Sequence, residues 1–251
     1  MNRHVLDDPD RLSDRARAFL DEHCRRSPIS LDDPGQWYEC TGVDGRAVPG
    51  PAGGLERLTD FVARFGGMAF CGERPGCYGA HRNPYVFHGF VSSGWDELGD
   101  GDRVATVGHK DGFALTLSWS TGRIGVVEAD FWIADSAVNL LESCALGQCV
   151  YTDEAWSEAV ELGGKGPGWG LTAVGSDAFR GLVGEVVEAS CEWNRWYVDE
   201  QVAVHGWRVT YDMDRPESVM AWYRDADGRR RIESVAGPLW PDAGPPTGRS
   251  T

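Results

Sequence analysis

The sequence predicts an α+β fold: a central, mainly antiparallel sheet with flanking helices, followed by a C-terminal α/β extension. Three observations predict it. In FALTLSW, Phe113, Leu115, Leu117 and Trp119 alternate with Ala114, Thr116 and Ser118, the period-two signature of a strand with one buried face. RVATVG and RIGVVE flank this strand, joined to it through the turn segments HKDG and STG, so the three form an antiparallel meander. Helical periodicity brackets the meander on both sides.

The first helix is expected in LSDRARAFLDEHCRR. Ser13 serves as its N-cap, Ala16, Phe19, Leu20 and His23 form one stripe, and Pro28 ends it. QWYECTG reads as a short strand and VPGPAGG (48–54) as a turn-rich linker whose prolines oppose regular structure. LERLTDFVARFGG is a second helix, with Leu58, Phe61, Val62 and Phe65 on one face and Gly66–Gly67 as its stop. Residues 68–100 read as one long loop carrying a short strand at YVFHGF, a length often associated with function. After the meander, IADSAVNLLESCAL is a helix capped by Asp135 or Ser136, and TDEAWSEAVEL is a short helix begun by Thr152.

The glycine-rich spacer GGKGPGWG (163–170) divides the chain, so the expected organisation is one α+β domain over 1–162, helix and strands over 163–240 that either belong to the same domain or stand apart, and a disordered tail over 241–251. The extension is expected to hold a helix in SDAFRGLVGEVVEASCEW and strands in VAVHGWRVTYD and SVMAWYRD. DADG is expected to turn the last of these into RRRIESV as a hairpin.

Three segments together resemble the SUKH superfamily, small domains related to the yeast Smi1 and Knr-type cell-wall regulators. FVARFGGMAF resembles the family helix that ends on Gly-Gly and enters a strand, and VATVGHKDGFALTLSWSTGRIGVV resembles its central hairpin and return. IADSAVNLLESCAL resembles its closing helix. The resemblance covers about residues 55–147. It implies a SUKH-like fold and the function ascribed to many bacterial members: immunity proteins that bind a toxin domain, often a nuclease, and block it.

Charge narrows the partner. The chain has 24 basic and 39 acidic residues, a net charge of −15. Residues 1–125 carry a net −4 and residues 126–251 a net −11. Such a surface repels nucleic acid and anionic membranes, and it either keeps the protein soluble or attracts a basic protein; that this protein is a basic toxin domain is what the resemblance implies. No run of twenty apolar residues exists to span a membrane, and the acidic N-terminus is unlike a signal peptide. With seven scattered cysteines, the expectation is a cytoplasmic, reduced protein.

The Cys71, Cys77, His81 and His88 set offers soft and imidazole ligands for zinc, but five residues separate the two cysteines where structural zinc sites use two to four. No P-loop, H-E-x-x-H or G-x-S-x-G elbow occurs, so neither a cofactor nor a catalytic residue is expected. The expected binding surface pairs aromatics with carboxylates in EADFW and CEWNRWYVDE: Glu128, Asp130, Trp132, Trp193, Trp196, Asp199 and Glu200. The alternative function is a small-molecule-binding protein or enzyme, possibly zinc-containing, with its pocket under the 68–100 loop.

Overall fold

The computed structural model describes residues 3–29, 39–41, 46–50, 52–71, 84–88, 95–97, 102–110, 112–126, 131–157, 159–162, 177–208 and 217–236. It is an α+β protein, and among the described residues all strand pairs are antiparallel. The chain divides into two compact units, Met1–Cys149 and Val150–Thr251. The division falls upstream of the one expected after residue 162, because a strand at Val160–Glu161 pairs with residues 220–221.

In the first unit, helix α1 (Asp14–His23) is followed by strand β1 (Cys24–Arg26), and helix α2 (Gly54–Phe65) by β4 (Met68–Phe70). Strands β2 (Glu39–Thr41) and β3 (Ala47–Pro49) make a separate two-stranded ladder. Strands β5 (Tyr85–Phe87), β6 (Trp95–Glu97), β7 (Arg103–Lys110), β8 (Phe113–Ser118), β9 (Ile124–Val126) and β10 (Phe131–Ala134) complete an eight-stranded sheet. Its order is β1-β4-β5-β7-β8-β9-β10, with β6 also on β7. Helix α3 (Ala137–Thr152) follows, and its last residues, from Val150 on, belong to the second unit.

The meander forms as expected, β7 to β8 to β9. Leu115, Leu117 and Trp119 are buried with Phe61, Phe65, Phe87 and Leu141 in one core, and Phe113 packs at its margin. Thr116 and Ser118, on the opposite face, are buried as well. The sheet is therefore covered on both sides here, not on one. At the opposite end of α2, Gly67 adopts φ 80, and a Cβ there would sit 2.2 Å from the Ser27 carbonyl oxygen. Gly-Gly is thus both helix stop and the point where two chain segments touch.

Several local expectations are corrected. The first helix stops at His23, because Cys24–Arg26 is taken up as the edge strand on β4. The linker at 48–54 begins inside a strand, with Pro49 at its end where a missing N–H is tolerated. The long loop holds three short strands, β4, β5 and β6, each recruited by pairing with a neighbour. Thr152 ends α3 and does not begin a new helix.

The second unit is a four-stranded sheet in the order β11-β14-β13-β12, built from β11 (Val160–Glu161), β12 (Asn194–Val198), β13 (Val202–Arg208) and β14 (Glu217–Tyr223). Helix α4 covers only Asp177–Leu182, with a 3-10 turn at Val187–Ala189. The long helix expected from 176 to 193 stops after Leu182, where Gly184 and the β-branched Val183, Val186 and Val187 oppose its continuation. The expected RRRIESV strand is helix α5 (Ala226–Ala236). The Asp225 carboxylate accepts from the Asp227 and Gly228 amides, a side-chain cap that starts a helix instead of a hairpin. One sheet face packs on these helices through Phe179, Val202, Val204, Val219 and Ile232.

Candidate functional site

The strand register of the second sheet sets its other face. Asn194 opposes Trp207, Trp196 opposes His205, and Ala203 opposes Trp222. Three tryptophans and a histidine therefore share one surface, and Tyr151, in the last turn of α3, joins them. His205 lies between two indoles, stacked on Trp196 at 3.7 Å between ring centroids and on Trp207 at 4.5 Å.

A directed hydrogen-bond chain runs through this stack. Asn194 Nδ2 donates to the Ala189 carbonyl at 3.2 Å, which turns Oδ1 toward His205. His205 Nε2 then carries the proton and donates to Oδ1 at 2.6 Å, leaving Nδ1 to accept from the Tyr151 hydroxyl at 2.8 Å. Both ring nitrogens are engaged and the residue is 2% exposed. The arrangement resembles a catalytic relay in its parts, but its function in the fold is to satisfy buried polar groups and hold the aromatic face in register.

Two other polar clusters are equally closed. The Glu142 carboxylate accepts from the Ser13 amide (2.6 Å), the Ser13 hydroxyl (2.7 Å) and Arg15 Nη2 (3.1 Å), tying the start of α1 to α3. Asp102 accepts from Ser118 Oγ (2.6 Å) and Ser120 Oγ (2.9 and 3.0 Å), fixing the turn after β8. In that second cluster the serine hydroxyls donate directly to the acid, so it is not the base-mediated geometry of a nucleophile.

The expected binding residues fare unequally. Trp132, Trp193 and Trp196 are 5%, 6% and 0% exposed. Their rings belong to the interior, so the expectation that they anchor a partner at the surface is corrected. Trp132 lies on β10 opposite Gly125, and Trp196 is the core of the stack just described. Asp199 accepts from the Gln201 and Val202 amides and from Arg231 Nη2, closing the turn between β12 and β13. Although its partial burial opposes ionisation, the Arg231 guanidinium and those amides hold its carboxyl below the usual range. Glu200 is exposed. Glu128 and Asp130 lie outside the described residues. Among the described members of the set, only Glu200 is exposed.

The zinc set is only partly described, since Cys77 and His81 lie outside the described residues. Of the remaining two, Cys71 extends past the end of β4 that pairs with Tyr85, whereas His88 extends past Phe87 at the other end of β5. The register carries them apart. Among the described residues, no group of three or more His, Cys, Asp or Glu side chains converges. His88 meets a residue that sequence reading did not single out: its Nε2 lies 2.8 Å from Nδ1 of His109. Burial, and then the neighbouring imidazole, lower the His88 pKa below 6.5.

An open groove is lined by Arg26, Pro28, Ile29, Val62 and Ala63, none of them from the 68–100 segment expected to roof a pocket. Among the described residues, no helix is long and apolar enough to cross a membrane. The chain matches no protein-family profile, no curated protein and no solved structure.

Proposed function

We propose that the chain is a non-catalytic binding protein of SUKH type, acting in the cytoplasm as an immunity protein that occludes a basic, nuclease-type toxin domain. The family part of this reading rests on the three sequence segments that resemble SUKH domains. The observation that carries the binding part is charge. The first unit has 14 basic and 22 acidic residues, net −8, and the second has 10 and 17, net −7. Both units are acidic, so the steep contrast between sequence halves does not correspond to a neutral body joined to an acidic one.

A field of that sign accelerates encounter with a basic surface and disfavours nucleic acid as a competitor. The contacts fall to exposed carboxylates. Glu154, Glu192 and Glu200 are exposed and have no ion pair among the described residues. Asp199 and Glu142, in contrast, are already committed to arginines within the fold.

The test is to mix the purified chain with a panel of basic bacterial toxin nucleases and measure complex formation and residual nuclease activity. One member should form a stoichiometric complex and lose activity, and the triple variant Glu154→Lys, Glu192→Lys, Glu200→Lys should bind it several-fold more slowly while folding normally. Absence of both complex and inhibition across the panel would overturn the reading.

A further inference from the structure

His88 and His109 come from different strands, and three features of the first sheet bring them together. Val86 pairs with His109 and Phe87 with Gly108, which puts His88 diagonal to His109 on one face. The register of β7 against β8 shifts between Thr106 and Gly108, a bulge that re-aims the side chains following it. Gly108 has no Cβ, and one built there would lie 2.0 Å from the Val86 carbonyl oxygen, so only glycine allows β5 and β7 to approach this closely.

The result is two imidazoles with their nitrogens 2.8 Å apart and ring centroids 4.8 Å apart. His109 is exposed and His88 half-buried, so the nitrogens are held by rigid strands yet reached from solvent. A 2.8 Å separation is close to the edge of a metal coordination polyhedron whose M–N bonds are about 2.0–2.1 Å. Chelation requires both rings to turn about their side-chain bonds, so that the nitrogens now aimed at each other face a common apex. Imidazole suits the late first-row divalent ions, and their affinities rise toward copper.

The geometry points to a two-imidazole chelate at His88 Nε2 and His109 Nδ1 for a divalent late transition-metal ion, with water completing the coordination. It is independent of the binding function proposed above, and it is not the Cys71–His88 set read from the sequence. On binding, the proton between the two nitrogens passes to solvent and the ring that carried it takes up a proton at its other nitrogen, so both imidazoles coordinate as neutral ligands. No redox change or further co-reactant is involved.

Co²⁺ is the probe, because its spectrum distinguishes nitrogen from thiolate ligation. The full chain is stripped with chelator and titrated with Co²⁺, and Zn²⁺ competition is then followed. One equivalent should bind with d–d absorption and no thiolate charge-transfer band, and Zn²⁺ should displace it. His109→Gln, at the exposed partner, should weaken binding at least roughly tenfold, since even outer-shell changes cost that much. His88→Gln should do the same, and His23→Gln, on α1, should leave binding unchanged. Near-ultraviolet circular dichroism establishes that each variant folds, and His109→Gln alone suffices if His88→Gln does not. A thiolate band, unchanged affinity in His109→Gln, or no binding by the wild-type chain each overturns the site.

Discussion

The two units bury their sheets by different chemistry. The first packs phenylalanines and aliphatics from α1, α2 and α3 onto its sheet, with Phe61, Phe65, Phe70 and Phe87 in edge-on or tilted contact. The second packs aliphatics with Phe179 and Tyr197 on its helical face, and on the other face stacks Trp196, His205 and Trp207 around a polar chain. The contrast shows where each unit is vulnerable. An apolar core tolerates volume-conserving exchange, whereas a stacked polar core fails when one partner leaves and strands the others.

The largest expected effect therefore falls on the second unit. Trp196→Ala removes the plane on which His205 stacks and should cost about 3–5 kcal/mol, the range for a buried tryptophan. Amide exchange should show the loss in β12, β13 and β14 more than in the first sheet; equal loss in both units would erase the contrast. Next comes Glu142→Ala in the first unit. It leaves the Ser13 amide without its acceptor, and Arg15 loses its carboxylate but remains partly solvated. About 2–3 kcal/mol is expected, less than the 3–5 kcal/mol of breaking a fully buried pair. Urea unfolding measures it, and Glu142→Gln should recover part.

A subtler pair runs in the opposite direction. Thr116 Oγ1 in the first unit and the Tyr197 hydroxyl in the second are buried with no hydrogen-bond partner among the described residues. Thr116→Val and Tyr197→Phe remove an unsatisfied group at nearly constant shape, so each should raise stability by about 1 kcal/mol. Melting temperatures that fall for both would show that these hydroxyls are satisfied after all.

The smallest effect is a pH slope. Burial, followed by the Arg26 charge, lowers the His4 pKa from 6.5, outweighing the Gly66 carbonyl bond that raises it. His88 is lowered in the same direction. The folded form therefore holds fewer protons than the unfolded form once pH drops below the ordinary value. Their contribution is complete above pH 6.5 and is lost as pH falls through the lowered values. Stability measured between neutral and mildly acid pH should decline, and His4→Gln should flatten the decline.

Local periodicity made part of this fold legible. FALTLSW alternates, and LERLTDFVARFGG combines a helical stripe with a glycine stop, so β8 and α2 were readable from either pattern. β12 was not, because Trp196 and Tyr197 are both buried, one on each face, and the segment has no alternation to detect. α5 was missed because DADG serves equally as hairpin turn and helix cap, and only the Asp225 hydrogen bonds decide between them. Sites were harder still. Asn194 and His205 meet through strand register and Tyr151 reaches them from a helix, while His88 meets His109 through a bulge and one glycine contact. Tryptophans beside carboxylates looked like surface anchors, yet large rings are also what fills a thin sheet interior.

The central claim, recognition of a basic partner through distributed negative charge, is tested most directly by the association rate with an inhibited toxin nuclease as ionic strength rises. The account predicts a rate that falls steeply with added salt while dissociation changes little, because steering acts on encounter. A rate independent of salt, with affinity set by dissociation alone, would contradict it.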